Sequence, residues 1–229
     1  MIKFIIILTS VFFLISCESQ ESIFDSYSKK FYRVEYIEGW RVCINESIVH
    51  TSNWLEAKKI LSFQLYNIKR VLAVNVVKEM QKIKFYVEDR PDGRAEYHPS
   101  RDWLIKNGFS PEKEHCVELS DINGFINKSL KQPWVILHEL IHGYHHLVLG
   151  FDNQEIIECY YNALKSNKYQ KVKFYNNGFR QHYGGSNFRE YFAEAGEAYF
   201  GINDFYPFNR RELIDYDPEV CRILKKLSK

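Results

Sequence analysis

One stretch constrains this chain more than any other: residues 134–149, WVILHELIHGYHHLVL, which carry His-Glu-x-x-His at positions 138 to 142. Residues four apart on an α-helix leave the same face, one turn above the other. His138 and His142 can therefore bring two ring nitrogens to one Zn²⁺, at bonds of roughly 2.0–2.1 Å, while the helix stays regular. Glu139 follows the first histidine, where its carboxylate reaches a water beside the metal rather than the metal itself. Pro133 suits a first-turn position and Gly150 a C-terminal stop. Leu137, Ile141, Tyr144 and Val148 form an apolar stripe at helical spacing, leaving the histidines on another face. The competing reading is a helix whose histidines line a polar groove.

A hydrolytic zinc site needs a third protein ligand and an open fourth position. The metzincin extension would require glycine at position 145 and histidine at 148, where the chain has His145 and Val148. Thermolysin-like spacing puts a glutamate about twenty residues past the second histidine, where Tyr161 and Asn162 stand. Glu155 and Glu158 are near in sequence but match no zincin spacing. The better candidate is 182–200, HYGGSNFREYFAEAGEAYF, read as a glycine-containing loop, a Ser186 or Asn187 cap, and a helix ending at Gly201. Phe188, Phe192, Ala195 and Tyr199 make its apolar stripe, and Glu190, Glu194 and Glu197 fall on a different face. Glutamates at i and i+4 repel slightly in water; facing a dication and its histidines they are stabilised. Glu190 is the expected zinc ligand and Glu194 the carboxylate that orients a histidine. A solvated acidic helix face is the alternative.

Together these segments resemble the catalytic domain of the anthrax lethal factor family of zinc metallopeptidases, which includes the Pro-Pro endopeptidases. In that family the His-Glu-x-x-His helix is followed by a Tyr-Gly segment and a Glu-aromatic-Phe-Ala-Glu helix, with the tyrosine seven residues before the liganding glutamate. Here Tyr183-Gly184 precedes Glu190-Tyr191-Phe192-Ala193-Glu194 by that interval. The resemblance implies His138, His142 and Glu190 as metal ligands and Glu139 as general base. It also implies Tyr183 as the hydroxyl that stabilises a tetrahedral intermediate, and Glu194 as a supporting carboxylate. It spans about 131–208 and implies an α+β zincin that hydrolyses peptide bonds in a protein or peptide substrate. The N-terminal half carries no matching motif, so substrate specificity does not transfer.

Residues 1–16 read as a signal peptide: Lys3 supplies a positive start, and an apolar run over 4–15 is short for a membrane span. Leu14-Ile15-Ser16-Cys17 resembles the lipobox of bacterial lipoproteins, which implies cleavage after Ser16 and lipid on Cys17. More than one acyl chain gives stable anchoring. The expected location is therefore the bacterial cell envelope, lipid-anchored and on the exported side. Residues 17–31 are polar and read as a tether, and 32–229 as one catalytic domain. A formal charge of +2 over 229 residues argues against nucleic acid as a partner.

Within the domain, 32–49 alternates around Glu38-Gly39 as a β-hairpin does. Thr51 or Ser52 caps a helix whose stripe is Trp54, Ile60, Leu61, Leu65, Ile68 and Leu72. A further helical stretch over 76–81 and strands over 83–87 and 117–119 follow. Residues 90–111 are turn-rich with exposed-looking Tyr97 and Trp103, and a loop this long is a candidate cleft wall. Asp152-Asn153-Gln154-Glu155 resembles a capping box that opens a helix to about Lys165, and 204–208 reads as aromatic core. Cys43, Cys116, Cys159 and Cys221 contain no Cys-x-x-Cys pair; in an exported domain they could form up to two disulfides, or remain buried thiols. His145 can line the groove, support a ligand or lie on the surface, and His182 is a candidate for the cleft wall. Strands first and metal helices after suit an α+β fold in which a sheet edge lies over the cleft. A non-catalytic zinc-containing surface lipoprotein that binds a partner is the other functional class, although it has no need of Glu139.

Overall fold

The computed structural model describes residues 21–90, 93–176 and 178–229; the expected signal peptide and the expected lipidation site Cys17 lie outside the described residues. The first described element corrects the tether boundary. Strand β1 (Ser22–Asp25) pairs antiparallel with β2 (Lys30–Ile37), so the sheet starts ten residues before position 32. Two local features fix it there. Asp25 accepts hydrogen bonds from the Tyr27 and Ser28 amides and closes the turn, while Ile23 packs on a cluster containing Tyr32, Val34 and Cys43.

The hairpin forms as its alternation predicts. β3 (Trp40–Asn45) pairs antiparallel with β2 across Glu38 and Gly39, whose φ angles of 53° and 96° suit a tight hairpin turn. Thr51 caps α1 (Ser52–Val71) by accepting from the Trp54 amide, and α1 buries Trp54, Leu61, Leu65 and Ile68 against the sheet. After α2 (Val74–Met80), β4 (Phe85–Val87) returns parallel to β3. The supposed turn-rich loop then holds two elements, β5 (Ala95–Tyr97) and α3 (Arg101–Lys106), and Tyr97 is buried rather than exposed. β6 (Val117–Leu119) inserts between β4 and β5, giving the order β1-β2-β3-β4-β6-β5. β5 is therefore an edge strand at the end opposite β1.

The two faces of the sheet are covered differently. The helices form the main core on one face. On the other, the segment after β5 folds back over Tyr32, Cys43, Tyr86 and Cys116. A buried ionic knot holds it: Lys113 Nζ donates to Glu88 Oε1 (2.8 Å) and Glu118 Oε1 (2.7 Å), and His98 Nε2 lies 2.8 Å from Glu118 Oε2. Leaving either carboxylate here without its cation would strand a charge at low dielectric, so the knot fixes where this arm, and with it β5, can sit.

The remaining chain is helical. α4 (Ile122–Ser129) leads to α5 (Val135–Tyr144), which ends in one π-helical turn over His145–Leu149. Asn153 caps α6 (Gln154–Lys165). The short ribbon β7 (Val172–Lys173) and β8 (Phe179–Arg180) precedes α7 (Phe188–Phe200), and α8 (Arg210–Tyr216) and α9 (Pro218–Lys225) close the fold. Asn187 caps α7, accepting from the Arg189 and Glu190 amides. α5 is buried almost all round, between α7, α1 and β5, and only its last turns reach the surface; Val148 is exposed instead of completing the stripe. All four described cysteines are free and buried.

Candidate metal centre

The crossing of α5 and α7 builds the site. Gly196 lets the two helices come close: a Cβ there would lie 2.0 Å from Ile141 Cδ1. At this separation the histidine face of α5 meets the first turns of α7. His138 Nε2 lies 3.0 Å from His142 Nε2 and 3.1 Å from Glu190 Oε2, and His142 Nε2 lies 3.3 Å from the same oxygen.

Three donor atoms on a tetrahedral ion at 2.0–2.1 Å sit about 3.3 Å from one another, by simple geometry on the bond lengths. The observed triangle is slightly tighter, and the donor set is two imidazoles and a carboxylate. The residues therefore fit a metal ion. His138, His142 and Glu190, separated by up to 52 positions in the chain, converge on one point as the sequence expectation required.

Electrostatics at that point favour the charged carboxylate. Burial alone would push the Glu190 carboxyl up, but hydrogen bonds to His138 and His142, together with their charges, hold it well below the usual carboxylate range. Burial likewise opposes charge on His138, yet Glu190 and Glu197 outweigh it and raise its pKa. The triangle is thus a preformed nest of two rings around one anion, which a cation can replace proton for metal.

The carboxylate that holds His138 differs from the expected one. Glu197 Oε1 lies 2.7 Å from His138 Nδ1 and also accepts from Gln132 Nε2 at 2.6 Å, and all three residues are buried. Glu194 Oε1 is 3.6 Å from the same ring nitrogen. Its other oxygen accepts from Asn203 Nδ2 at 3.0 Å. Burial, then the neighbouring Glu197 charge, raises the Glu194 pKa well above the usual carboxylate range. Glu197 lies seven residues after Glu190, two helical turns on and on the same face. That periodicity was visible in the sequence; that Gln132 would close on Glu197 was not. His138, Glu194 and Glu197 form a second close group of metal-binding atoms, but it reuses the one histidine whose Nδ1 is already hydrogen-bonded.

Glu139 and Tyr183 both line the cleft that contains the three donors. Glu139 Oε2 accepts a hydrogen bond from the Tyr97 amide of β5 at 2.9 Å, which fixes the carboxylate beside the histidines. Tyr183 is half exposed, and its hydroxyl pKa is raised by burial and then by the Glu190 charge. The opposite wall includes Arg94, Ala95, Glu96 and Pro99, so residues 90–111 do contribute a cleft wall, as an edge strand rather than a loop.

The other candidates fall elsewhere. His182 is buried behind the cleft, its Nδ1 accepting from the Gly184 amide, and burial pulls its pKa down to about 3. His145 is enclosed by Phe151, Phe188 and Phe192, and neither ring nitrogen has a partner among the described residues. Glu155 pairs with Lys226 on the surface, and Phe205, expected in the core, lines the cleft with Asp204. Fold and site together define an α+β protein with a partly buried His-His-Glu group able to hold a metal ion. No family model, curated protein or solved structure matches the chain.

Proposed function

We propose that the chain is a zinc-dependent endopeptidase of zincin type, akin to the lethal factor family, carried on a lipid-modified Cys17. The observation that carries this reading is one cleft shared by His138, His142, Glu190, Glu139 and a sheet edge. Two imidazoles and one carboxylate are the donor set of many catalytic zinc sites. A zinc ion there would supply Lewis acidity, lowering the pKa of a bound water toward ~7 and polarising the substrate carbonyl.

The chain's own residues then divide the work. An extended peptide can pair with β5. Arg94 C=O and the His98 amide are bonded to β6, so by strand alternation the backbone groups of Ala95 and Tyr97 point outward. Glu139 already holds the Tyr97 amide, which leaves the Ala95 amide and carbonyl and the Tyr97 carbonyl for substrate. Such pairing positions the scissile bond over the histidines without reading its side chains. Glu139 accepts a proton from the attacking water and delivers it to the leaving nitrogen. Tyr183 donates to the developing oxyanion, a contact typically worth ~3 kcal/mol. Glu197 keeps the His138 proton on Nδ1, so that Nε2 presents its lone pair to the site.

Two variants test the reading together. Glu139→Gln is expected to retain stoichiometric zinc and lose chelator-sensitive cleavage of a peptide library, whereas His142→Ala loses the metal itself. Full turnover in the Glu139 variant refutes the mechanism. Zinc retained with no cleavage by the wild-type protein would turn the reading toward a binding protein.

A further inference from the structure

The sheet order places β1 and the cleft-lining β5 at opposite edges. Five inter-strand spacings separate them, about 24 Å at ~4.8 Å each. The flank at the β1 end is unusually apolar for a surface. Phe24 and Phe31 are cross-strand partners with ring centroids 4.7 Å apart, and they are 51% and 58% exposed. They sit on the sheet face that α1 covers, as the alternation along β2 shows: Glu35 on that face pairs with Lys58 of α1, and Ile37 enters the main core.

α1 extends the same flank. It contacts β2 and has α4 and α5 on its inner side. Its outward side carries Leu55, Phe63 and Tyr66, all at least half exposed, at helical spacing with Lys59 and Arg70. Lys29, Lys59 and Arg70 make no ion pair among the described residues, whereas Lys58 and Lys69 are paired to Glu35 and Glu38. The flank thus joins exposed aromatic rings to unpaired cations, the composition of an interfacial surface.

We propose that this flank, β1–β2 and the outer face of α1, seats on an anionic lipid bilayer. The position of Cys17 argues for a membrane rather than a protein as the occupant, and to that extent the proposal rests on the lipid-anchor reading. Cys17 stands five residues before Ser22, and five residues span at most about 17 Å. An acyl group on Cys17 therefore holds the β1 end of the sheet within about 17 Å of the headgroups, a reach that falls short of β5 at the far edge. Phe24 and Phe31 enter the interface, Lys29, Lys59 and Arg70 meet lipid phosphates, and the cleft faces away from the membrane. The segments it can reach are then those held roughly a sheet-width above the bilayer.

The full chain, produced in a bacterial host and placed in vesicles containing phosphatidylglycerol, tests this. Mass spectrometry of the N-terminal peptide reads lipid on Cys17. Tryptophan placed by Phe24→Trp or by Phe63→Trp reads seating, through quenching by brominated lipid. Both new tryptophans are expected to be quenched, with no change in the native signal, which includes Trp103 stacked against His98 and Phe109. Lys59→Glu and Arg70→Glu are each expected to weaken the seating about fivefold or more. Unquenched tryptophans overturn the proposal whether or not Cys17 is lipidated. Quenching without lipid on Cys17 removes the anchor and leaves the seating standing. A dimer in solution that Phe63→Ser disrupts, with no quenching in vesicles, assigns the flank to a second copy and also overturns it.

Discussion

Replacing Glu197 by glutamine should weaken metal binding, although this residue touches no metal. Glu197 Oε1 takes two hydrogen bonds, from His138 Nδ1 and Gln132 Nε2, and the side chain is wholly buried. A glutamine keeps a carbonyl oxygen in that place but loses the charge. The bond to His138 then falls from a charge-assisted one, about 1.5–3 kcal/mol, to a neutral one of about 0.5–1.5 kcal/mol. Its new amide also points where Glu197 Oε2 now has no partner among the described residues, so no compensating bond forms. A net loss of about 1–2 kcal/mol corresponds to roughly 5–30-fold in affinity, overlapping the lower part of the roughly 10–100-fold usual for such supporting carboxylates.

Competition between the protein and a chelator of known affinity at pH 7.5 measures this directly. The comparison variant is Glu194→Gln. Glu194 stands 3.6 Å from His138 Nδ1 and accepts from Asn203, and an amide can present the same acceptor oxygen, so the zinc affinity of this variant should stay within about threefold of wild type. Thermal unfolding of the two metal-free variants separates a local effect from a folding defect. If Glu197→Gln binds zinc like wild type, or if Glu194→Gln loses as much, the assignment of His138's partner is wrong.

Asn187→Ala removes the cap that bonds both the Arg189 and Glu190 amides; a cost of about 1 kcal/mol in urea unfolding and weaker zinc binding are expected, since the same turn carries Glu190, the proposed third ligand. Gly196→Val forces a side chain onto Ile141 at the crossing of α5 and α7. Overpacking of about 1–3 kcal/mol, read by thermal denaturation, should come with loss of stoichiometric metal. His145→Leu, with the apolar cage around it retained and two unpartnered nitrogens removed, should raise metal-free stability by about 1–2 kcal/mol. Burial depresses His145 and His182 to about 3 from 6.5. The unfolded chain therefore takes up their protons first, and metal-free stability should fall as pH drops below about 6.5 and on toward 3. His145→Leu should flatten that decline in urea midpoints taken at pH 7.5, 5.5 and 4.

Much of the site was legible because its parts are local in sequence. The four-residue histidine spacing, the cap before α7 and the glutamates along one helix face are short-range patterns, and each is where periodicity put it. Periodicity assigns residues to a face; it does not choose among neighbours on that face. Glu194 and Glu197 are both inward-facing, and the choice between them depends on Gln132 and Asn203, which approach from other segments. The same limit explains Tyr97. In sequence it sits among turn formers, with only three residues of strand around it, and burial comes from β6 on one side and α5 on the other.

The arm carrying β5 shows why that limit bears on function. Its position depends on the knot of Lys113, Glu88, Glu118 and His98, polar side chains that a sequence reading assigns to the surface. Burying them costs desolvation, and the cost is offset only when every member is paired, as here. A fully paired knot has one arrangement, whereas an apolar patch of similar size can slide. Residues far from the cleft therefore set the register of the edge strand whose Tyr97 amide holds Glu139. Loosening the knot should disturb the proposed general base before it disturbs the metal ligands, which α5 and α7 hold by their own crossing.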